Sequence, residues 1–290
     1  MNGEHSRDGS CDSCDERDRC EDPKAQDNVS IQIEKIKHKI VVGSGKGGVG
    51  KSTLTVNLAA ALKRKGFSVG ILDSDITGPN IPTLLGLEGH RLTASSNGIE
   101  PVNAGGIKVV SMGLLLENQD SAVVWRGPMK MAAIKQFISE VNWGDLDFLL
   151  VDLPPGTGDE PISVVQLIPN LDGTVVVTTP QEVALLDSRK AINMFRMMKV
   201  PVIGIVENMS GLICPHCNQV IDVFNRGGGE RTAKELEINF LGAIPLDIEI
   251  GKLGDEGVAF DGRRTDAGEA LEKIVTGIIQ KIQKPELIPA

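Results

Sequence analysis

The chain has 290 residues, of which 41% are hydrophobic, 24% are charged and 3% are aromatic, and its formal net charge is −9. This composition is typical of a globular protein with an aliphatic core, long enough for one large α/β domain. The negative charge argues against a general nucleic-acid-binding surface, no apolar run approaches the ~18 residues of a membrane span, and the N-terminal residues lack the apolar stretch of a secretory signal. We therefore expect a cytoplasmic protein that binds neither nucleic acid nor membrane.

The first 30 residues differ in composition from the rest of the chain. They are polar, rich in Asp and Arg, and contain three cysteines but almost no aliphatic residues. Such a segment cannot bury enough apolar surface to fold by itself. We expect residues 1–30 to form a flexible tail and residues 31–290 to form one folded domain.

Within that domain, apolar runs of strand length alternate with segments of helical length. The β-branched runs cover residues 38–43, 67–73, 107–113, 146–152, 173–179, 200–207 and 240–244. The helical segments cover residues 57–66, 130–141, 182–199 and 231–237, and an amphipathic helix over 265–284 follows them. This alternation predicts an α/β fold, a doubly wound and mostly parallel sheet with helices on both faces.

A glycine-rich motif follows the first predicted strand and precedes the first helix. Gly45, Gly50, Lys51 and Ser52 satisfy the pattern G-x-x-x-x-G-K-[ST] of a phosphate-binding loop. Backbone N–H groups of such a loop converge on the phosphates of ATP, the lysine reaches the β- and γ-phosphates, and the hydroxyl binds Mg²⁺. The predicted nucleotide-binding residues are Gly45, Lys46, Gly47, Gly48, Val49, Gly50, Lys51, Ser52 and Thr53.

The same stretch also matches a dinucleotide-binding pattern. Gly43, Gly45 and Gly48 satisfy G-x-G-x-x-G, and Asp73 ends the next strand. This interpretation leaves Lys51 and Ser52 without a role. We therefore favour the P-loop ATPase.

Carboxylates follow two of the predicted strands. Asp152 ends the run LDFLLVD, where it would help to hold Mg²⁺, and the loop PPGTGD follows it as a segment that could respond to the γ-phosphate. Asp75 follows the second strand and is our candidate for orienting the attacking water. The alternative for Asp73 or Asp75 is a cap for the following turn.

Seven motifs in a fixed order give the chain a family resemblance. They are GKGGVGKST, LDSDITGPNIP, WRGPMK, VDLPPGTGDEP, VENMSG, CPHC and GAIPLD. From about residue 36 to 275 the chain resembles the Mrp family of P-loop ATPases, close to the ApbC-type iron–sulfur cluster carriers. The wider group includes MinD, ParA and the nitrogenase iron protein.

The resemblance implies specific roles for individual residues. Lys46 would cross a homodimer interface to the partner's nucleotide, much as an arginine finger does, whereas the alternative is a solvated loop lysine. Asn208 and Pro245 would line the adenine pocket. The catalytic residues would be Lys46, Lys51, Asp75 and Asp152, and ATP hydrolysis would be slow and coupled to cluster binding or transfer.

Cys214 and Cys217 form the sequence CPHC. Two thiolates are half of a four-cysteine ligand set, so a second copy related by a two-fold axis would complete a [4Fe–4S] cluster. In Mrp-type proteins such a pair bridges subunits, and we expect the same here. A bridging structural zinc and a thiol-disulfide oxidoreductase site are the alternatives.

Cys11, Cys14 and Cys20 resemble part of the ferredoxin-like N-terminal motif of the eukaryotic cytosolic scaffold branch. That motif has a further cysteine upstream, which leaves the fourth ligand of a second cluster open. The alternative is a tail of non-specific thiols.

These expectations combine into a function. The chain would be a homodimeric ATPase that carries a cluster to apo iron–sulfur proteins. The alternatives are a spatial regulator like MinD or ParA, and an ATP-gated electron donor like the nitrogenase iron protein. MinD-like proteins anchor through a C-terminal helix, but here the spacing of Leu271, Ile274, Ile278 and Ile282 indicates a face buried against the sheet.

Overall fold

The computed structural model describes residues 36–96, 98–115, 125–260 and 265–283, and an eight-stranded sheet runs through their centre. Its strands are β1 (Ile36–Ser44), β2 (Val69–Asp73), β5 (Val102–Ala104), β6 (Ile107–Ser111), β7 (Leu146–Asp152), β8 (Gly173–Thr178), β9 (Val202–Glu207) and β12 (Phe240–Ala243). Their order across the sheet is β12-β9-β8-β1-β7-β2-β6-β5. Every neighbouring pair is parallel except β5 and β6.

Short hairpins, eight α-helices and a 3₁₀ helix (Met112–Leu114) complete the described part of the chain. The hairpins pair β3 (Thr93–Ser95) with β4 (Gly98–Glu100) and β10 (Leu212–Ile213) with β11 (Val220–Ile221). The helices are α1 (Lys51–Arg64), α2 (Ile81–Leu84), α3 (Gly127–Glu140), α4 (Asp159–Leu167), α5 (Glu182–Met197), α6 (Gly228–Glu235), α7 (Ile248–Asp255) and α8 (Asp266–Gln283). No helix among the described residues has both the length and the apolarity to cross a lipid bilayer.

The central strands are buried on both faces, which explains their continuous apolar sequences. Successive residues point to opposite faces, so Leu150 of β7 joins one core layer and Val151 joins the other. Helices α1 and α8 cover the first layer, to which they contribute Leu54, Leu58, Ile274 and Ile278. Helices α3, α4 and α5 cover the second layer, to which they contribute Phe137, Val164 and Phe195. The sheet thus lies between two layers of helices.

The predicted doubly wound fold is confirmed. All seven predicted strand runs lie in the sheet, and the face of α8 formed by Leu271, Ile274 and Ile278 is buried as its spacing indicates. The prediction missed the antiparallel edge strand β5, both hairpins and the helices α2, α4 and α7, all of which are short. The tail of residues 1–30, with Cys11, Cys14 and Cys20, lies outside the described residues.

The sheet brings three strand ends together. In the parallel register, Asp152 at the end of β7 pairs with Val42 of β1 on one side and with Asp73 of β2 on the other. Ser111 at the end of β6 pairs with Asp73. Polar residues that are far apart in the sequence therefore meet at the carboxyl edge of the sheet, where ligands bind in open α/β sheets.

Replacing Leu150 with Ala tests the packing of the first core layer. Leu150 is fully buried in β7, so its truncation removes apolar contacts and leaves a cavity, and we expect the free energy of unfolding to fall by about 2–5 kcal/mol. Denaturant unfolding measures the change. Met197→Ala is the control, because Met197 is 85% exposed and its truncation should change stability by less than about 0.5 kcal/mol. A similar small loss for Leu150→Ala would contradict the described packing.

Candidate functional site

The phosphate-binding motif has the structural context that gives it meaning. Strand β1 ends at Ser44, helix α1 begins at Lys51, and the glycine-rich loop joins them. The Ser44 hydroxyl donates a hydrogen bond to the Lys46 carbonyl at 2.9 Å, which fixes the start of the loop. The N-terminus of α1, where backbone N–H groups point outward, therefore lies at the carboxyl edge of the sheet.

Two of the loop glycines are required by close contacts with neighbouring segments. A Cβ atom at Gly45 would lie 2.1 Å from the carbonyl carbon of Asp187 in α5. A Cβ atom at Gly50 would lie 2.2 Å from the side-chain nitrogen of Asn208, and Gly50 also has a φ of +83°. The loop is thus held between α5 and Asn208 at distances that only glycine permits.

Asp152 is the centre of the buried polar site. One of its oxygens, Oδ2, accepts hydrogen bonds from Lys51 Nζ and from Ser52 Oγ, both at 2.6 Å. The other oxygen, Oδ1, accepts a hydrogen bond from Thr55 Oγ1 at 2.7 Å. All three donors belong to the first turns of α1, so this carboxylate connects β7 to the helix that carries the phosphate-binding loop. The Lys51–Asp152 ion pair is itself almost completely buried.

The donor set around Asp152 fits a magnesium ion. Mg²⁺ prefers oxygen ligands and usually takes one or two from the protein, the remainder being waters and phosphate oxygens. Ser52 Oγ and Asp152 Oδ2 are two such oxygens, and they are 2.6 Å apart. These two residues would hold Mg²⁺, as the sequence predicts.

Asp73 lies beside this site but is enclosed by the protein. Its Oδ2 accepts a hydrogen bond from the Ser111 hydroxyl at 2.9 Å, and its Oδ1 accepts one from the backbone N–H of Asp75 at 3.1 Å. Burial raises the pKa of Asp73 to about 8, and the neighbouring charge of Asp152 acts in the same direction. At neutral pH most molecules therefore carry a proton on this carboxyl group.

Asp75 caps the turn after β2 and remains partly accessible. Its Oδ1 accepts hydrogen bonds from the Thr77 hydroxyl at 3.1 Å and from the Gly78 N–H at 3.2 Å, which is the capping role considered as the alternative. Burial raises the pKa of this carboxyl group as well. Because Asp75 is only partly buried, its carboxyl group can still contact a ligand while it caps the turn.

The loop after Asp152 is hydrogen-bonded to the phosphate-binding loop. The Gly156 N–H donates to the Ser44 carbonyl at 2.9 Å. Helix α4 begins just beyond, at Asp159, and its Glu160 accepts a 2.5 Å hydrogen bond from the buried Lys130 of α3. The WRGPMK and VDLPPGTGDEP motifs thus meet through one ion pair.

Lys46 lies in the loop between β1 and α1 and is partly exposed. Among the residues that the structure describes, no carboxylate forms an ion pair with its ammonium group. In this respect it differs from Lys51, which is buried against Asp152.

Asn208 contacts this loop, and its segment is hydrogen-bonded to the segment that contains Pro245. The side chain of Asn208 donates to the Val49 carbonyl at 2.9 Å. Ser210, two residues later, donates its N–H to the carbonyl of Ile244, the residue before Pro245, at 2.9 Å. The segments after β9 and β12 are therefore joined beside the phosphate-binding loop.

Cys214 and Cys217 lie in the loop of the β10–β11 hairpin. The Cys214 N–H donates to the Gln219 carbonyl, and the Asn218 N–H donates to the Cys214 carbonyl, both at 2.9 Å. Backbone N–H groups of His216 and then of Cys217 point at the Cys214 sulfur and lower the pKa of its thiol. Both cysteines are free thiols, Cys214 partly exposed and Cys217 exposed. No helix follows them directly, in contrast to the usual thiol-disulfide oxidoreductase arrangement.

Both ends of the segment that carries this hairpin are attached to one buried side chain. Glu207 is the last residue of β9 and is fully buried. Its Oε1 accepts hydrogen bonds from the Ser210 hydroxyl at 2.6 Å and from the Gly227 N–H at 2.9 Å, and its Oε2 accepts one from the Gly229 N–H at 2.5 Å.

The sequence analysis did not single out Thr55, Ser111, Lys130 or Glu207. Thr55 follows Lys51 by four residues, which puts both on one face of α1, so helical spacing could have identified it. Glu207 ends the apolar run of β9 with a buried charged residue, and this residue type at a buried strand end could have indicated it. The partners of Ser111 and Lys130 are distant in the sequence, and no local pattern indicates them.

The raised pKa of Asp73 predicts a specific dependence of stability on pH. An unfolded Asp ionises near pH 4, whereas native Asp73 keeps its proton up to about pH 8. Between these values the unfolded state binds fewer protons, so the free energy of unfolding falls as the pH rises. In nucleotide-free protein, Asp73→Asn should remove this contribution, and urea unfolding at pH 5, 6.5 and 8 measures it.

The exposed Asp255 supplies the control for this titration. Asp255→Asn should have the pH profile of the wild type, whereas Asp73→Asn should lose less stability than the wild type between pH 5 and pH 8. Parallel profiles for all three proteins would contradict the assigned pKa.

Comparisons with known proteins agree with this geometry. A family model described as ParA, NUBPL iron-transfer P-loop NTPase, matches residues 35–283. A protein of Methanocaldococcus jannaschii named iron-sulfur cluster carrier protein is 52% identical over 282 residues, which are 95% of this chain and 97% of that protein. A protein of Nematostella vectensis named as a homolog of the cytosolic Fe-S cluster assembly factor NUBP2 is 47% identical, over 85% of this chain and 94% of its own length.

Solved structures extend the comparison. A nucleotide-binding protein of Archaeoglobus fulgidus in complex with ADP is 42% identical, with a TM-score of 0.72 over 80% of this chain and 90% of that one. The cell division ATPase MinD of Pyrococcus furiosus is 22% identical, with a TM-score of 0.62 over 84% of this chain and 99% of that one, which is a likeness of fold. The family resemblance carried by the seven motifs is confirmed. The chain belongs to the family of NUBPL-type iron-transfer P-loop NTPases within the ParA group.

Proposed function

We propose that this chain is an ATP-hydrolysing homodimer that holds an iron–sulfur cluster between its two copies and transfers the cluster to apo-proteins. The observation that carries the proposal is the position of β9. After β9 the chain first passes Asn208, which contacts the phosphate-binding loop, and then enters the hairpin with Cys214 and Cys217. The names of the cluster carriers from Methanocaldococcus jannaschii and related organisms support the same function.

The cysteine hairpin supplies half of a cluster site. Iron–sulfur clusters of the [4Fe–4S] type are held by four thiolates, and each copy of the described residues offers Cys214 and Cys217. Within the described ranges there is no group of three or more His, Cys, Asp or Glu side chains that could hold a metal ion. A two-fold axis beside the hairpin would complete the ligand set from a second copy.

The surroundings of the cysteines suit a contact between copies. Val220 and Ile221 of β11, and Val223 just after it, are each nearly half exposed. An apolar patch of this kind is removed from water when a second copy packs against it. It would also keep water away from a cluster held at the interface.

The loop residues have complementary roles in ATP hydrolysis. Lys51 would exchange part of its contact with Asp152 for the β- and γ-phosphates, and Lys46 of each copy would reach the phosphates bound to the other copy. Mg²⁺, held by Ser52 and Asp152, would neutralise phosphate charge when bound. Asp75 would orient a water whose oxygen bonds to the γ-phosphorus as the bond to the β,γ-bridging oxygen breaks, which yields ADP and inorganic phosphate.

The two sites must influence each other if ATP drives transfer. ATP would tighten the dimer through Lys46 and the loop after Asp152, and this would change how firmly the four cysteines hold the cluster. The coupling is reciprocal, so the cluster must change the affinity for ATP by the same factor. Hydrolysis would then reset the dimer for another cluster, which gives a slow ATPase coupled to transfer in the cytoplasm.

A MinD-like regulator is less well supported than a carrier. The apolar residues Leu271, Ile274 and Ile278 of α8 are buried against the sheet, so they are not available to insert into a membrane. An ATP-gated electron donor would also bridge a cluster, and a redox titration coupled to ATP turnover separates it from a carrier. A second cluster on Cys11, Cys14 and Cys20 remains part of the proposal.

Metal analysis of anaerobically purified protein tests the bridging cluster. The wild type should contain about four irons and four sulfides per dimer in the bridging cluster, in addition to any iron on the tail, with the absorption of a cluster. The variant Cys214→Ala/Cys217→Ala should lose this iron, while any iron bound by the tail cysteines should remain. Iron, sulfide and zinc content with an absorption spectrum measures the result.

The matched control is Cys11→Ala/Cys14→Ala/Cys20→Ala, which should keep the bridging iron and lose any tail-bound iron. Zinc in place of iron, or no metal after anaerobic reconstitution, would overturn the carrier proposal. Either result would be consistent with a dimer that ATP controls and that has a structural metal site or no metal site.

The role of Lys46 is separable from that of Lys51. Lys46→Ala should retain the ATP affinity of the single subunit but lower kcat by ~10³-fold, because its ammonium group acts at the partner's phosphates, on charge that develops during transfer. Lys51→Ala should lose ATP affinity itself. ATP binding by calorimetry and single-turnover hydrolysis distinguish the two, and the exposed Lys234→Ala is the control that should change neither.

Mixing the two inactive variants tests whether Lys46 acts across the dimer. A mixed dimer has one complete site, which is the ATP-binding site of the Lys46→Ala copy completed by Lys46 of the Lys51→Ala copy. Half of the dimers are mixed at equal amounts, so about a quarter of wild-type activity should return. No recovery, with exchange of subunits verified, would contradict an action in the partner's site.

A further inference from the structure

Glu207 is a buried carboxylate whose partners lie at the two ends of the cysteine-bearing segment. Ser210 stands before the β10–β11 hairpin, and Gly227 and Gly229 stand after it at the start of α6. Hydrogen bonds to an ionised acceptor are among the stronger ones in proteins. A single side chain therefore closes the segment of residues 210–227 into a loop with fixed ends.

The next residue contacts the phosphate-binding loop. The Asn208 side chain donates to the Val49 carbonyl at 2.9 Å and lies against Gly50 so closely that no Cβ atom fits there. Glu207 and Asn208 are adjacent in the chain, yet one contacts the hairpin ends and the other contacts the nucleotide loop. Two consecutive residues therefore connect the two regions through their side-chain hydrogen bonds.

The backbone at this link is held in the sheet from both sides. The Asn208 N–H donates to the Thr178 carbonyl at 2.8 Å, and the Glu207 carbonyl accepts the Ile244 N–H at 2.8 Å. Beyond it, the Leu246 N–H donates to the Gly211 carbonyl at 2.7 Å, which holds the base of the hairpin against the segment after β12. If the phosphate-binding loop displaced Asn208, the end of β9 and the base of the hairpin would therefore move with it, because hydrogen bonds hold these segments together.

We infer that Glu207 is a positioning residue that transmits changes at the phosphate-binding loop to the hairpin bearing Cys214 and Cys217. Its side-chain hydrogen bonds go to Ser210, Gly227 and Gly229 and not to the phosphate-binding loop. Its carboxylate makes the two ends of the hairpin segment move with the end of β9. The residue after β9, Asn208, contacts the phosphate-binding loop. The inference deepens the proposed function and rests on it for the identity of the cargo, but the mechanical link is a property of the chain alone.

The variant Glu207→Gln preserves the volume of the side chain but replaces one of its two acceptor oxygens with an NH₂ donor. In one orientation its NH₂ group faces the Gly229 N–H, and in the other it faces the Gly227 N–H, so one donor meets another donor in either case. An unsatisfied buried donor favours local opening. We expect hydrogen exchange of residues 212–227 to become about tenfold faster.

Hydrogen–deuterium exchange with and without ADP tests the link on reduced, cluster-free full-length protein. ADP is the probe because it lacks the γ-phosphate that would draw Lys46 across a dimer. In the wild type, ADP should slow exchange of residues 43–53 and also of residues 212–227. In Glu207→Gln, ADP should bind with unchanged affinity and protect residues 43–53, while its effect on residues 212–227 should fall below about twofold.

Two further variants make the result interpretable. Glu235→Gln makes the same chemical change on the surface of α6, where Glu235 pairs with Arg189, and should have wild-type behaviour. Ser210→Ala removes one of the three donors and should reduce the ADP effect on the hairpin by an intermediate amount. If Glu207→Gln fails to fold, Ser210→Ala decides the question.

Three outcomes would overturn the inference. One is an undiminished ADP effect on residues 212–227 in both Glu207→Gln and Ser210→Ala. Another is no ADP effect on these residues in the wild type. The third is a loss of ADP affinity in Glu207→Gln, which would assign Glu207 to the nucleotide site itself. Because no cluster is present, the exchange result is independent of the iron analysis, and the link and the carrier function can fail separately.

Discussion

The arrangement of the site depends on a negative charge buried at the edge of a parallel sheet. Asp152 is inaccessible to solvent, and a carboxylate in that position requires compensating donors. The donors come from Lys51, Ser52 and Thr55, so α1 must begin directly beside the end of β7. This requirement fixes the end of the glycine-rich loop that leads into α1. An ion pair of this kind adds little net stability, because desolvation offsets much of the attraction, and its value here lies in the geometry that it imposes.

The same constraint explains the state of the neighbouring carboxyl group. Asp73 and Asp152 are partners in the parallel register, so two acidic side chains lie at adjacent buried strand ends. One ammonium group, that of Lys51, is shared by this region, and it contacts Asp152 directly. Asp73 is left with neutral donors and keeps its proton to a pKa of about 8. The parallel register thus places one aspartate against a lysine and its neighbour against neutral donors.

Features encoded by adjacent residues could be predicted from the sequence. The strands are continuous apolar runs, the phosphate-binding motif spans a single strand–loop–helix unit, and the cysteine pair is separated by two residues. The anchoring of that pair could not be predicted, because the donors to Glu207 include two backbone N–H groups 20 and 22 residues away. Backbone groups leave no signature in an amino-acid pattern. The Lys130–Glu160 pair and the two-residue strands β10 and β11 escaped prediction for related reasons, distance in one case and brevity in the other.

The closure of the segment between Ser210 and Gly227 on one side chain also has an evolutionary consequence. A loop whose ends are already held together can change in length at little entropic cost, since that cost grows only logarithmically with the number of residues. Insertions or replacements between these anchor points would leave the sheet and the phosphate-binding loop in register. The fold therefore leaves the hairpin with Cys214 and Cys217 free to change in sequence and length while the sheet and the phosphate-binding loop stay the same.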